Sequence, residues 1–288
     1  MTTIAIVGTG RMGTAFAKRL TETGHDVSVW NRTPARTAAA AEAGARVAPD
    51  LATVAGCGTI LLALTDAPAV NAALDGLIDA GIDGQLIVDM STLLPDETRA
   101  IAARVSGAGA EFVDCPVGGT GGPALKGQLL GMAGGTEAGF ARAKPVLEQL
   151  CKRVEHLGPA GAGSHMKLAV NLPLALYWKT LAEALEMLEG SGIPAETAIS
   201  MIADSSAGPT VLKNRAQVVI DTLNGTDQPG TFDIAGLSKD LELGLRQGAQ
   251  SGKAMPLCEA ARESYRTALD AGLGGFDGAS LTRHLTGR

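Results

Sequence analysis

Three groups of residues have the types and spacing to do chemistry. Gly8-Thr9-Gly10-Arg11-Met12-Gly13 follows the apolar run Ile4-Ala5-Ile6-Val7 and opens a stretch in which Met12, Ala15, Phe16 and Leu20 recur at helical spacing. A strand that turns through glycines into a helix presents unpaired N–H groups and the positive end of the helix dipole, which together hold a pyrophosphate. Gly8 serves the tight turn, Gly10 lets backbone approach the phosphates, and Gly13 lets helix and strand pack closely. An ordinary glycine-rich turn has the same composition; the strand–helix–strand order around this one favours dinucleotide binding.

The second group ends the next predicted strand, Val27–Trp30, with Asn31-Arg32-Thr33. A carboxylate at that point takes the ribose hydroxyls of NAD. Arg32 instead suits a 2′-phosphate, with Asn31 and Thr33 as hydrogen-bond donors. Asp26 stands at the start of the strand, on the wrong side of the sheet. The predicted cofactor is therefore NADP(H). The third group is Lys167 with Asn171, four residues apart and so on one helix face, and the pair Lys239-Asp240. Alone, these read as a solvated polar pair and a surface ion pair.

The elements that must carry these residues change character along the chain. Short apolar runs alternate with amphipathic stretches up to about residue 160, with strands predicted at 4–7, 27–30, 59–64, 86–90, 112–115, 129–133 and 154–157. Leu61–Leu64 and Leu86–Val88 are apolar at every position, as a strand covered by helices on both faces must be. Beyond Gly158-Pro159-Ala160-Gly161 the texture is helical: 164–189, with Pro173 as a point of local kinking, then 195–203, 210–223, 237–250 and 256–271. Residues 224–230 read as a loop and 273–288 as a partly docked tail. The expectation is an α/β Rossmann-type domain over residues 1–160, followed by an all-α domain over 161–288 that carries substrate contacts and dimerisation.

Composition narrows the function classes. The 288 residues are 45% hydrophobic and 19% charged, so the chain can bury a core without staples. A net charge of −6 and 3% aromatics argue against a nucleic-acid partner. Cys57, Cys115, Cys151 and Cys258 show neither a C-x-x-C pair nor a histidine at ligand spacing, and read as reduced, buried thiols with no metal site. No run reaches membrane-spanning length and no leader is evident, so the expected location is the cytoplasm.

Five blocks in order resemble the β-hydroxyacid dehydrogenase family, which includes 3-hydroxyisobutyrate dehydrogenases and glyoxylate/succinic semialdehyde reductases. They are the glycine fingerprint, Asp89–Thr92, Asp114–Thr120, Gly161–Asn171, and Phe232 with Lys239-Asp240. The resemblance spans essentially the whole chain. It implies a Rossmann domain, similar to the NAD-binding domain of 6-phosphogluconate dehydrogenase, joined by a long interdomain helix to an all-α domain. It also implies a homodimer or homotetramer. The reaction implied is hydride transfer between NADPH and a small aldehyde or keto acid and its hydroxy acid, in a dry crevice between the domains.

By the same resemblance Lys167 is the general acid and base, and Asn171 holds the substrate oxygen beside it. Thr92 and Lys239 meet the cofactor, Leu64-Thr65 lines the same crevice, and Asp240 fixes local geometry. Phe232 is read equally as a pocket wall or as core, and His165 as structural.

The substrate loop departs from the family pattern D-x-P-V-S-G-G-x-x-G-A. Gly118 stands at the serine, Thr120 at the second glycine and Pro123 at the later glycine, while Gly119 is kept. The serine helps grip a substrate carboxylate, which leaves the backbone N–H groups of Val117–Thr120 as a candidate anion nest. Two alternatives follow: an imine reductase or reductase of carbonyls without a carboxylate, and a non-catalytic NADP-binding scaffold. The scaffold is disfavoured because its mark is loss of the lysine.

Overall fold

In the computed structural model, which describes residues 3–284, the chain divides into two compact units, Met1–Lys167 and Leu168–Arg288. The first holds nine strands: β1 (Ile4–Val7), β2 (Val27–Trp30), β3 (Arg46–Val47), β4 (Thr59–Leu62), β5 (Leu86–Asp89), β6 (Glu111–Asp114), β7 (Val117–Gly118), β8 (Leu129–Gly135) and β9 (Cys151–His156). Their order is β3-β2-β1-β4-β5-β6-β8-β7, with β9 paired to β8. The first six are parallel, β8 is antiparallel to β6 and β7, and β9 runs parallel to β8.

The apolar runs explain the layering. Alternate residues of a strand point to opposite faces, so Ile4 and Ile6 join one core with Phe16 and Leu20 of the Arg11–Glu22 helix. Ala5 and Val7 join the other core, with Val70, Leu74 and Leu77 of the Ala67–Ala80 helix. All four β1 residues are fully buried, as a central parallel strand requires. The sequence progression reverses between β1 and β4, and the crevice at the carboxyl ends of strands at such a switch point is where open α/β sheets bind ligands.

The strand boundaries follow hydrogen bonding more than hydropathy. β4 stops at Leu62 and β5 at Asp89, short of the expected 64 and 90, while β9 starts at Cys151, three residues before the apolar signal. β3 and β7 escape sequence reading because each is two residues long, and β3 is exposed at both.

The second unit is helical, with a core of Trp178, Leu181, Ile199, Leu212, Leu237 and Tyr265, among others. Its helices are Ala195–Asp204, Thr210–Leu223, Ile234–Gln250 and Pro256–Asp270, after the Ala162–Glu186 helix that runs on from the first unit without a break at Pro173. The Tyr265 hydroxyl donates to the Ala175 carbonyl at 3.0 Å, which satisfies the only polar atom of a fully buried ring. The 224–230 loop is bridged to the tail at Pro229–Phe276, and Asp233, at the start of the next helix, is bridged at Asp277. The tail docks through Gly278–His284; residues 285–288 of that expectation lie outside the described residues.

All four cysteines are unpaired and buried. Among the described residues no helix is long and apolar enough to cross a membrane, and no three His, Cys, Asp or Glu side chains gather as a metal site would require.

Candidate active site

The glycine loop is built as its residue types demand. Gly8 sits at φ +98°, where an added Cβ would lie 2.4 Å from the Ala63 carbonyl oxygen. A Cβ on Gly13 would lie 1.8 Å from the Gly8 oxygen. A Cβ on Gly10, by contrast, meets nothing within 4 Å. Gly8 and Gly13 are therefore fixed by the protein itself, whereas the space over Gly10 is left open. The Arg11–Glu22 helix that starts there has no side-chain cap and no acid in its first turn. Thr9 is buried and its hydroxyl has no partner.

A depression beside this loop is lined by Gly8, Gly10, Arg32, Arg36, Leu64 and Thr65, together with Trp30, Asn31, Thr33 and a row of alanines, and by no carboxylate. The Leu64 N–H donates to Ser91 Oγ at 3.1 Å, and the Ser91 N–H to Asp89 Oδ1 at 2.9 Å, so the ends of β4 and β5 are tied together. Thr92 follows directly and is partly buried. Asn31 is engaged within the protein: its Oδ1 accepts from the Thr9 N–H at 3.1 Å and its Nδ2 donates to the Thr33 carbonyl at 2.9 Å. It shapes both loops, beyond the donor role expected of it. Arg36 is not among the residues expected from the sequence; it lines the depression with Arg32 from the short Pro34–Thr37 helix after β2. An uncapped helix start, open space over Gly10 and two guanidinium groups without a carboxylate fit a phosphorylated dinucleotide.

Lys167 lies in the first unit and is 8% exposed. Its Nζ donates to the Val117 carbonyl at 2.9 Å. The substrate loop that supplies this carbonyl is partly sheet: Val117 pairs with Gly131 and Gly118 with Leu130. Val117 and Gly118 of the expected nest thus belong to a ladder, and the Val117 carbonyl serves Lys167. Gly119 takes φ +117°, and Thr120 precedes the short Gly121–Leu125 helix without capping it through its side chain. Gly118 itself is not in the left-handed region, and a Cβ there would find Leu130 Cβ at 3.5 Å, an ordinary contact. His165 is exposed, on another side of the helix from buried Lys167.

In the second unit Asn171 and Asp240 are both buried, and Asn171 Nδ2 donates to Asp240 Oδ2 at 2.6 Å. Asp240 Oδ1 also holds Lys239 Nζ at 3.2 Å. One carboxylate therefore orients an amide and an ammonium. Phe232 is partly buried against the helical core, just before the Ile234–Gln250 helix.

Residues 3–158 match the family model described as the NAD binding domain of 6-phosphogluconate dehydrogenase. Residues 161–285 match the one described as NAD-binding of NADP-dependent 3-hydroxyisobutyrate dehydrogenase. The chain is 30% identical over 278 residues to glyoxylate/succinic semialdehyde reductase 1 of Arabidopsis thaliana, covering 95% of each. Mycobacterium tuberculosis 3-hydroxyisobutyrate dehydrogenase, solved with L-serine, superimposes with a TM-score of 0.88 at 28% identity over 99% of each chain. An imine reductase from Pseudomonas shares the fold at lower similarity, with a TM-score of 0.66 and 22% identity over 99% of each chain. A glycine loop built for a dinucleotide, a buried tethered lysine and these likenesses along the whole chain converge: the chain belongs to the β-hydroxyacid dehydrogenase family of nicotinamide-dependent oxidoreductases.

Proposed function

We propose that the protein is an NADP-dependent reductase of small carbonyl acids and dehydrogenase of the matching hydroxy acids, with Lys167 as general acid and base. The observation that carries this reading is Lys167 itself. It is a buried ammonium held by a backbone carbonyl of the substrate loop, so its proton is presented at a defined place. NADPH, when bound, supplies the hydride. Gly8, Thr9, Gly10, Arg11, Met12 and Gly13 would hold its pyrophosphate and Arg32 and Arg36 the 2′-phosphate; Leu64, Thr65 and Thr92, and by the resemblance Lys239, are assigned to the rest of it. Lys167 gives a proton to the carbonyl oxygen as negative charge grows there, and takes it back in the oxidation. Asn171, oriented by Asp240, steadies that oxygen. By the resemblance, Gly118, Gly119 and Thr120 in the first unit and Phe232 in the second are assigned to the remainder of the substrate.

NADP over NAD is supported by the two guanidinium groups in a depression that lacks a carboxylate. A β-hydroxy acid substrate is supported by the L-serine held by the Mycobacterium tuberculosis relative. The test is Lys167→Ala: turnover should fall by roughly 10²- to 10⁴-fold, the usual share of a general acid, while NADPH affinity stays at the wild-type value. Wild-type turnover in that variant contradicts the assignment.

A further inference from the structure

We infer that Asp114 is a positioning residue for Lys167: its carboxylate clamps the first turn of the lysine's helix while its own strand extension holds the lysine's ammonium. This rests on the reading of Lys167 as the proton donor. Asp114 ends β6 and is 1% exposed. Its Oδ1 accepts from the Gly161 N–H at 2.8 Å and its Oδ2 from the Ser164 N–H at 2.9 Å, with the Ser164 hydroxyl at 3.3 Å. Those N–H groups stand at the start of the Ala162–Glu186 helix, where no intrahelical partner exists. An anion there also meets the favourable end of the helix dipole.

The clamp is tight. A Cβ on Gly163 would lie 2.2 Å from the Met132 carbonyl oxygen and 2.8 Å from Asp114 Oδ2, and one on Gly134 would lie 2.6 Å from Asp114 Oδ1. Two glycines, one on each side, therefore let the helix start reach the carboxylate. Thr98 adds a side bond, its hydroxyl 2.9 Å from that of Ser164.

Asp114 and Val117 are the ends of one four-residue segment, Asp114-Cys115-Pro116-Val117. The segment has little freedom. The Cys115 N–H donates to the Asp89 carbonyl at 2.7 Å, the Met132 N–H donates to the Pro116 carbonyl at 3.1 Å, and Pro116 fixes its own φ. One end grips the helix at Gly161 and Ser164, and the other accepts the proton-bearing Nζ of Lys167, the next residue but two along that helix. The distance from helix start to ammonium is thereby set at both ends by a single rigid strap. A general acid displaced by an ångström loses much of its effect, so a clamp remote from the reacting atoms acts on turnover.

The test compares Asp114→Asn, Lys167→Ala and the double variant, with turnover expressed per NADPH-binding site by titration so that unfolded protein does not count. Asparagine keeps the shape but replaces one acceptor oxygen with a donor facing a helix N–H. In the wild-type background kcat should fall about tenfold or more, with KM and NADPH affinity changed less than about twofold. On Lys167→Ala the same change should have almost no further effect, because coupled positions are not additive. Wild-type kcat in Asp114→Asn, or an equal loss in both backgrounds, overturns the positioning role. Wild-type kcat in Lys167→Ala instead overturns the proton-donor reading and leaves the clamp as structure only. If Asp114→Asn yields no folded protein, Ser164→Ala, which removes the hydroxyl bond to Asp114 and leaves the backbone in place, should lower kcat in the wild-type background and not on Lys167→Ala; no loss, or an equal loss in both, overturns the positioning role.

Discussion

The glycine loop and the substrate loop lie in the same unit but are made in opposite ways. In the glycine loop the steric demand is absolute at Gly8 and Gly13 and absent at Gly10, so the residue types announce the ligand. In the substrate loop the side chains are small or missing, and the work is done by backbone: Val117 lends its carbonyl to Lys167, and Gly118 pairs with Leu130. The glycine loop is thus specified by what cannot be added, and the Gly118 loop by the room its residues leave unfilled. A site of the first kind tolerates little change, whereas one of the second kind can be retargeted by a single side chain.

The contrast can be broken most forcefully at Gly13. Gly13→Ala forces a methyl onto the Gly8 carbonyl, and calorimetric titration should detect no NADPH binding; normal binding would show that the loop yields. Gly10→Ala sharpens the point, since it clashes with nothing. Its melting temperature should equal wild type while NADPH affinity drops, and unchanged affinity would mean that the phosphates do not pass over Gly10.

Next in size, Arg32→Asp should weaken NADPH by roughly 10- to 100-fold, the worth of a charge-assisted bond or two, and leave NADH little affected. An unchanged ratio of the two affinities would remove Arg32 from the phosphate site. At the substrate end, Gly118→Ser should fold normally, because its Cβ meets only ordinary contacts, and should lower KM for a carbonyl acid by about tenfold, a hydrogen bond to a charge being worth 1.5–3 kcal/mol. A large loss of stability would show that the position is filled, not vacant.

The smallest effect is on stability against pH. Burial raises the Asp114 carboxyl above its ordinary 3.8, opposed by the N–H bonds from Gly161 and Ser164. A carboxyl with a raised folded-state pKa binds its proton more tightly in the native protein. Its stabilising contribution is full below 3.8 and is lost as pH rises through the folded value. Denaturant unfolding should show that decline as pH rises above 3.8 in the wild type and a flatter profile in Asp114→Asn; identical profiles would mean that Asp114 is not the group responsible.

Much of this was legible in the sequence, and the reasons are specific. The central strands announced themselves because IAIV, TILL and LIV are apolar runs, whereas the charged β9 is signalled only by Val154 and the Leu157 that follows it; Gly8-x-Gly10-x-x-Gly13 is legible because glycine positions are read directly from type. Arg36 was within reach, four residues beyond Arg32, but it follows Pro34 in a turn whose geometry the sequence does not state. The Val117 tether was out of reach, because every residue offers a backbone carbonyl and only the fold selects one. The double duty of Asn31, and the carboxylate of Asp240 shared between Asn171 and Lys239, likewise depend on contacts between residues distant in sequence.

The most direct test of the central claim is the initial rate of NADPH oxidation against three matched sets: carbonyl acids such as glyoxylate and succinic semialdehyde, the same carbonyls without the carboxylate, and cyclic imines. The proposed function predicts rates confined to the carbonyl acids, lowered by Lys167→Ala. Rates confined to imines or uncharged carbonyls, with the acids inert, would contradict it and mark Gly118 and Thr120 as the signature of a different substrate.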